Sequence, residues 1–138
     1  MRPPNSKALI LSDVAIMDHL TGKWSLIGLF DNFYGDKFPL TVAPFAVYCR
    51  ISDIPAHPYK VLLRITNPEG RMINEIPMTG VGRAESGRDY FECVGVFKTF
   101  IAERPGDYAV ESVVEGNVVA VTTTKILKPN DVESFTEE

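Results

Sequence analysis

Short runs of β-branched and aromatic residues, separated by Gly, Pro, Asn and Asp, fill this sequence from end to end. The clearest run, residues 45–52, carries apolar side chains at every second position, which is typical of a strand with one buried face. No segment carries a convincing amphipathic helical pattern. The sequence therefore predicts an all-β fold, an antiparallel β-sandwich of about seven or eight strands.

Turn signals divide the predicted strands. Residues 67–70 form a four-residue turn in which Pro68 presets φ and Gly70 accepts a positive φ. The pair Gly116–Asn117 predicts a two-residue hairpin turn of type II′. Residues 24–31 are apolar in both phases, which predicts a strand covered on both faces inside a sheet. The predicted strands cover residues 8–18, 24–31, 43–52, 59–66, 71–78, 89–100, 107–115 and 118–127.

The length of 138 residues suits one domain with its own core. We place this domain at residues 8–128, after an N-terminal extension (residues 1–7) and before an acidic, flexible tail (residues 129–138). The net charge is −4, and the four acidic residues from 131 onward account for it. A neutral body offers no basic surface for nucleic acid or a membrane, so we expect neither as a partner. The longest apolar runs are far shorter than the ~20 residues of a membrane helix.

Cys49 and Cys93 are the only cysteines, and both fall on the apolar phase of predicted strands. We expect buried, reduced thiols in a cytoplasmic protein, with a disulfide between them as the alternative. His19 and His57 are the only histidines, and both are expected in surface loops. The sequence contains no metal-ligand spacing and no known hydrolase or nucleotide-binding motif. We therefore expect no metal, no cofactor and no catalytic residue, and hence not an enzyme.

Residues 30–39 place four aromatic side chains in ten residues of turn-like composition. These rings either pack against the end of the sandwich core, which we favour, or form an exposed binding patch. Phe33 and Tyr34 are the binding candidates in the second case.

Residues 80–88 form a Gly-rich loop that includes Arg83 and Arg88. Its backbone amides and two guanidinium groups could hold a phosphate or a carboxylate. The favoured interpretation is a mobile connection between strands, because Gly and Ser also mark ordinary loops.

The stretch WSLIGLFDNFYGDKFP at residues 24–39, with Gly22–Lys23 before it, resembles a family of small bacterial proteins of unknown function. That family shows a Gly-Lys turn, a "sliGifd" strand, an aromatic loop ending in Phe-Pro, a Pro-x-Gly turn and a Pro-Gly-x-Tyr hairpin. The later motifs are similar to residues 68–70 and 105–108 here. The resemblance implies an immunoglobulin-like β-sandwich and carries no assigned chemistry.

Tyr108 follows a Gly by two residues at the start of a strand, which resembles the tyrosine corner of immunoglobulin-like sandwiches. In that motif the hydroxyl bonds to upstream backbone. We assign structural roles to six residues: Trp24, Gly28, Phe30, Pro39, Gly106 and Tyr108.

These observations favour a non-enzymatic protein-interaction or structural module with an unknown protein partner. Homodimerisation through a sheet edge or an apolar face is one form of it. The alternative is a small-molecule or glycan-binding sandwich that uses the loops at residues 30–39 and 80–88. An enzyme is the third and least favoured possibility.

Overall fold

The alternating runs fold into two mainly antiparallel sheets whose apolar faces meet. A computed structural model describes residues 4–128, and within them it contains the following elements. These are β1 (Asn5–Met17), β2 (Trp24–Leu29), β3 (Asn32–Tyr34), β4 (Leu40–Val42), β5 (Phe45–Ser52), β6 (Tyr59–Thr66), β7 (Met72–Gly80), α1 (Arg83–Ser86), β8 (Tyr90–Phe97), β9 (Phe100–Ala102), β10 (Gly106–Val114) and β11 (Asn117–Leu127).

One sheet has the strand order β2-β1-β5-β8, and the other has the order β3-β11-β10-β6-β7. Strands β4 and β9 form a separate antiparallel pair. Strand β3 pairs with β11 in parallel, whereas the other pairings in the two sheets are antiparallel. This architecture confirms the predicted all-β sandwich, and the immunoglobulin-like topology stays a prediction.

The core lies between β5 and β8 on one side and β6 and β10 on the other. Val47 pairs with Gly95 and Cys49 with Cys93 across β5 and β8. The Phe45 ring is 5.5 Å from both the Phe33 and the Phe97 ring, measured between centroids. Such aromatic packing closes one end of the sandwich. The largest fully buried side chains are Tyr59, Tyr108, Phe45, Phe97, Ile51, Ile54, Leu63, Ile65, Ile126, Val47, Val61 and Val110.

Two of the predicted turn features are present. The Gly70 amide donates to the Asn67 carbonyl at 2.8 Å, with Gly70 at φ +82°. The Tyr108 hydroxyl donates to the Arg104 carbonyl at 2.7 Å, which is the upstream backbone bond expected of a tyrosine corner.

The hairpin between β10 and β11 differs from the prediction. Its turn residues are Glu115 and Gly116, with φ of 48° and 82°. Positive φ at both positions is typical of a type I′ turn, whose twist matches that of the flanking strands better than the type II′ turn predicted at Gly116–Asn117.

Several boundaries also differ. Strand β1 begins at Asn5, inside the predicted extension, because Asn5 pairs with Ser52. The predicted strand at residues 89–100 divides into β8 and β9. The predicted loop at residues 80–88 contains the one-turn helix α1, where no helix was expected. The acidic tail at residues 129–138 lies outside the described residues.

Candidate functional site

Strands β1 and β2 form a hairpin that bends where Asp13 faces Gly28. The pairs Ser12–Leu29 and Val14–Ile27 flank this point. Gly28 has φ +74°, and a Cβ there would lie 3.1 Å from the Asp13 Cβ. Gly avoids both the strain of a positive φ and this close approach. The sequence-based structural role of Gly28 therefore has a local physical basis.

The bend returns the hairpin toward the outer face of β5 and β8. In the pairing register, Ile10 faces Tyr48 and Met17 faces Trp24. Ile10 and Met17 are seven residues apart on β1, a distance of about 23 Å along an extended strand. In a flat sheet, their partners Tyr48 and Trp24 would therefore lie far apart. Instead, Trp24 and Tyr48 line one groove of about 440 Å³. This hairpin groove lies between the hairpin tip and the sheet.

Both walls of the hairpin groove contribute aromatic and charged side chains. The hairpin supplies residues 21–24 and Leu26, while the sheet side supplies residues of β5, β8 and the loop before β8. The lining residues are Thr21, Gly22, Lys23, Trp24, Leu26, Tyr48, Arg50, Arg88, Tyr90 and Glu92.

Three charged side chains of the groove, those of Arg50, Arg88 and Glu92, contact tyrosine side chains. The Arg50 guanidinium carbon lies 3.9 Å from the Tyr90 ring centroid, and that of Arg88 lies 5.6 Å from the same ring. The Tyr48 hydroxyl donates a hydrogen bond to the Glu92 carboxylate. Burial and the bond to Glu92 raise the pKa of Tyr48 to about 12. Tyr48 is therefore a neutral hydrogen-bond donor at neutral pH.

The opposite side of the hairpin is apolar and exposed. Val14 is 47% exposed, Ile27 is 53% exposed and Leu29 is 66% exposed. Strand β2 is at the end of its sheet, so the prediction that residues 24–31 form an interior strand was wrong. Its two apolar phases have another origin: Trp24 and Leu26 line the hairpin groove, and Ile27 and Leu29 face solvent.

The predicted binding residues do not come together. Phe33 packs against the core, 4.6 Å from the Phe30 ring centroid, whereas Tyr34 is 54% exposed. Arg88 lines the hairpin groove. Arg83 lies on α1, where its amide donates to the Pro55 carbonyl and its Nε is buried.

Sequence reasoning missed the sheet side of the groove, namely Tyr48, Arg50, Tyr90 and Glu92. These residues lie on the outer phase of β5 and β8, where Arg50 pairs with Glu92 and Ser52 with Tyr90. The alternating sequence pattern of these strands already assigns the aromatic and charged residues to the face opposite the core. Their meeting depends on strand register, which alternation alone does not give.

The cysteines and histidines of the chain lie outside the hairpin groove. Cys49 and Cys93 face each other in the core as free, buried thiols, as predicted. Their mutual hydrogen bond and burial raise the pKa of the Cys93 thiol, which disfavours its reactive thiolate form.

His19 and His57 are exposed. Within residues 4–128, no group of acidic, His or Cys side chains is arranged to hold a metal ion. The described part of the chain also has no helix long and apolar enough to span a membrane.

Comparison with known proteins gives a family but no activity. No curated protein matches the chain. A family model matches residues 7–126, which include the whole described sandwich except its extreme ends. The chain belongs to a family of unknown function, DUF6941.

Proposed function

We propose that this protein is a protein-interaction module that forms a homodimer by pairing strand β2 with β2 of a second copy. One observation carries the proposal: β2 is an edge strand, none of its six residues is buried, and its sequence WSLIGL contains no charge and no Pro. Such an edge presents unpaired backbone groups beside apolar side chains, the combination that recruits another strand.

The other sheet edges differ from β2. Strand β7 carries Glu75 and Pro77, and Pro cannot donate to a further strand. Strand β3 is only three residues long. Strand β8 contacts β7 of the facing sheet, and a Cβ at Gly95 would lie 2.8 Å from Ile76 Cδ1. Strand β2 is therefore the least protected edge of the described sandwich.

A second copy is the partner that best fits this edge. Antiparallel pairing of one strand with itself is compatible with a two-fold axis, the commonest symmetry of soluble dimers. Residues 24–27 lie on the tip side of Gly28 and pair with β1 in continuous register. Pairing there brings the exposed Ile27 side chain next to the apolar side chains of β2 in the partner copy. These apolar side chains introduce no like-charge repulsion, and their exposed surface becomes covered.

The decisive experiment measures molar mass by light scattering over a hundredfold concentration range. We expect a dimer for the unmodified protein and a monomer for Ile27→Lys, because a charge on the edge disfavours strand pairing. Val121→Lys is the matched control, since Val121 is 54% exposed on a strand of the other sheet. It should remain dimeric. A monomeric unmodified protein, or equal dimerisation of both variants, would contradict the proposal.

Hydrogen exchange then separates edge pairing from packing through the apolar face. Amides of residues 24–27 that point away from β1 should become protected as the dimer forms, because each gains a partner carbonyl. A dimer whose β2 amides exchange as fast as in the Ile27→Lys monomer would overturn the edge-pairing model.

A further inference from the structure

We infer that the hairpin groove is a binding site for an aromatic oxyanion, a small molecule that joins a flat ring to a phosphate or carboxylate group. This site is independent of the proposed dimer, because it uses the inward face of the hairpin and the sheet beneath it. Three features of the groove support this inference: its charge, the position of its two guanidinium groups and its aromatic walls.

The groove is positively charged in a protein of net charge −4. It contains Lys23, Arg50 and Arg88 but one carboxylate, that of Glu92. Glu92 already accepts the Tyr48 hydroxyl and faces Arg50 across β5 and β8. Lys23 and Arg88 therefore give the groove an excess of positive charge, which favours an anionic ligand.

The two guanidinium groups are positioned before any ligand enters. Arg50 and Arg88 both lie against the Tyr90 ring, at 3.9 and 5.6 Å from its centroid. Because Arg88 is already placed beside the Tyr90 ring, less conformational entropy is lost when its guanidinium binds an anion. Arginine also matches phosphate and carboxylate oxygens in a bidentate manner. The sheet wall thus resembles a preorganised oxyanion site.

The aromatic side chains that line the groove favour a ligand that contains a flat ring. Trp24 comes from the hairpin, while Tyr48 and Tyr90 come from the sheet. The volume of about 440 Å³ lies within the range of small-molecule pockets, so a single ring with its anionic group fits. The ring of the ligand can stack on these aromatic side chains, and its phosphate or carboxylate group then lies near the cationic side chains of the groove.

The test uses phenyl phosphate and benzoate as probes, with inorganic phosphate and phenol as the separate halves of the ligand. Calorimetry should give saturable binding of at least one aromatic oxyanion, several-fold tighter than either half alone. Trp24 is the only tryptophan of the chain, so its fluorescence should change over the same concentration range and locate the ligand in the groove. The tighter of the two probes identifies the anionic group that the site prefers.

Arg88→Gln should weaken binding roughly tenfold or more, because it removes a charged donor. Arg71→Gln is the matched control: Arg71 is exposed in the turn before β7 and does not line the groove. Equal binding by both variants, or no heat of binding with either probe, would overturn the inference. Inorganic phosphate binding as tightly as phenyl phosphate would also overturn it, since the aromatic walls would then contribute nothing.

Discussion

Ile51 and Ile27 are the same residue type on two strands of the same sheet, yet their surroundings are opposite. Ile51 is 0% exposed and pairs with Phe91 in the core. Ile27 is 53% exposed and pairs with Val14 on the outward side of the hairpin. The alternating pattern identifies both as strand residues. Burial depends on whether a second sheet covers that part of the strand.

The same contrast holds for the two regions as a whole. In the sandwich body, β5 has the burial pattern of a strand packed inside a core, with Phe45, Val47, Cys49 and Ile51 all buried. In the hairpin, no residue from Asp13 to Leu29 is buried. The hairpin therefore contains apolar side chains that contribute little to the core, which supports their proposed role in binding.

The largest expected effect is in the body. Ile51→Ala should lower the free energy of unfolding by about 2–5 kcal/mol, because it leaves a cavity in a fully packed site. Urea denaturation measures this change, and Ile51→Val, with an expected loss of about 0.5–1.5 kcal/mol, is the graded control. A loss below about 1 kcal/mol for Ile51→Ala would remove the energetic contrast between body and hairpin.

An intermediate effect is expected at the bend. Gly28→Ala should cost more than the ~1–2 kcal/mol of strain expected at φ +74°, because the added Cβ also crowds Asp13. Gly22→Ala is the control, since Gly22 has φ +70° but nothing within 4 Å of an added Cβ. Urea denaturation measures both costs, and it is carried out with Ile27→Lys also present so that dimerisation does not contribute to the measured stability. If Gly22→Ala costs as much as Gly28→Ala, the contact with Asp13 has no energetic weight.

The smallest effect is expected on the outward side of the hairpin. Ile27→Ala should change the stability of the monomer by less than about 0.5 kcal/mol, because the side chain is half exposed and belongs to no core. Urea denaturation measures this change in the free energy of unfolding, at a protein concentration low enough that the chain is monomeric. A loss close to that of Ile51→Ala would mean that the hairpin is part of the folding core.

The sequence predicted the features that depend on near neighbours. The alternation at residues 45–52, the turn at Asn67–Gly70 and the backbone bond of Tyr108 were all correct. Each is determined by residues within about one strand length, so local pattern and turn chemistry suffice.

Features that depend on distant pairings could not be predicted. The place of β2 at a sheet edge and the meeting of Arg50 with Glu92 follow from the order and register of strands far apart in the chain. The hairpin groove also requires the bend at Gly28, whose positive φ is invisible in an alternating pattern. Of the four predicted binding residues, Arg88 alone lines this groove.

The parallel pairing of β3 with β11 has a consequence for synthesis on the ribosome. Asn32 pairs with Lys125, and the Thr124 hydroxyl donates to the Asp31 carbonyl across a separation of 93 residues. At 5–20 residues per second, translation of that interval takes on the order of 5–20 s. During this time β3 lacks the strand with which it pairs, so the backbone of the aromatic segment forms its final hydrogen bonds only after β11 has been synthesised.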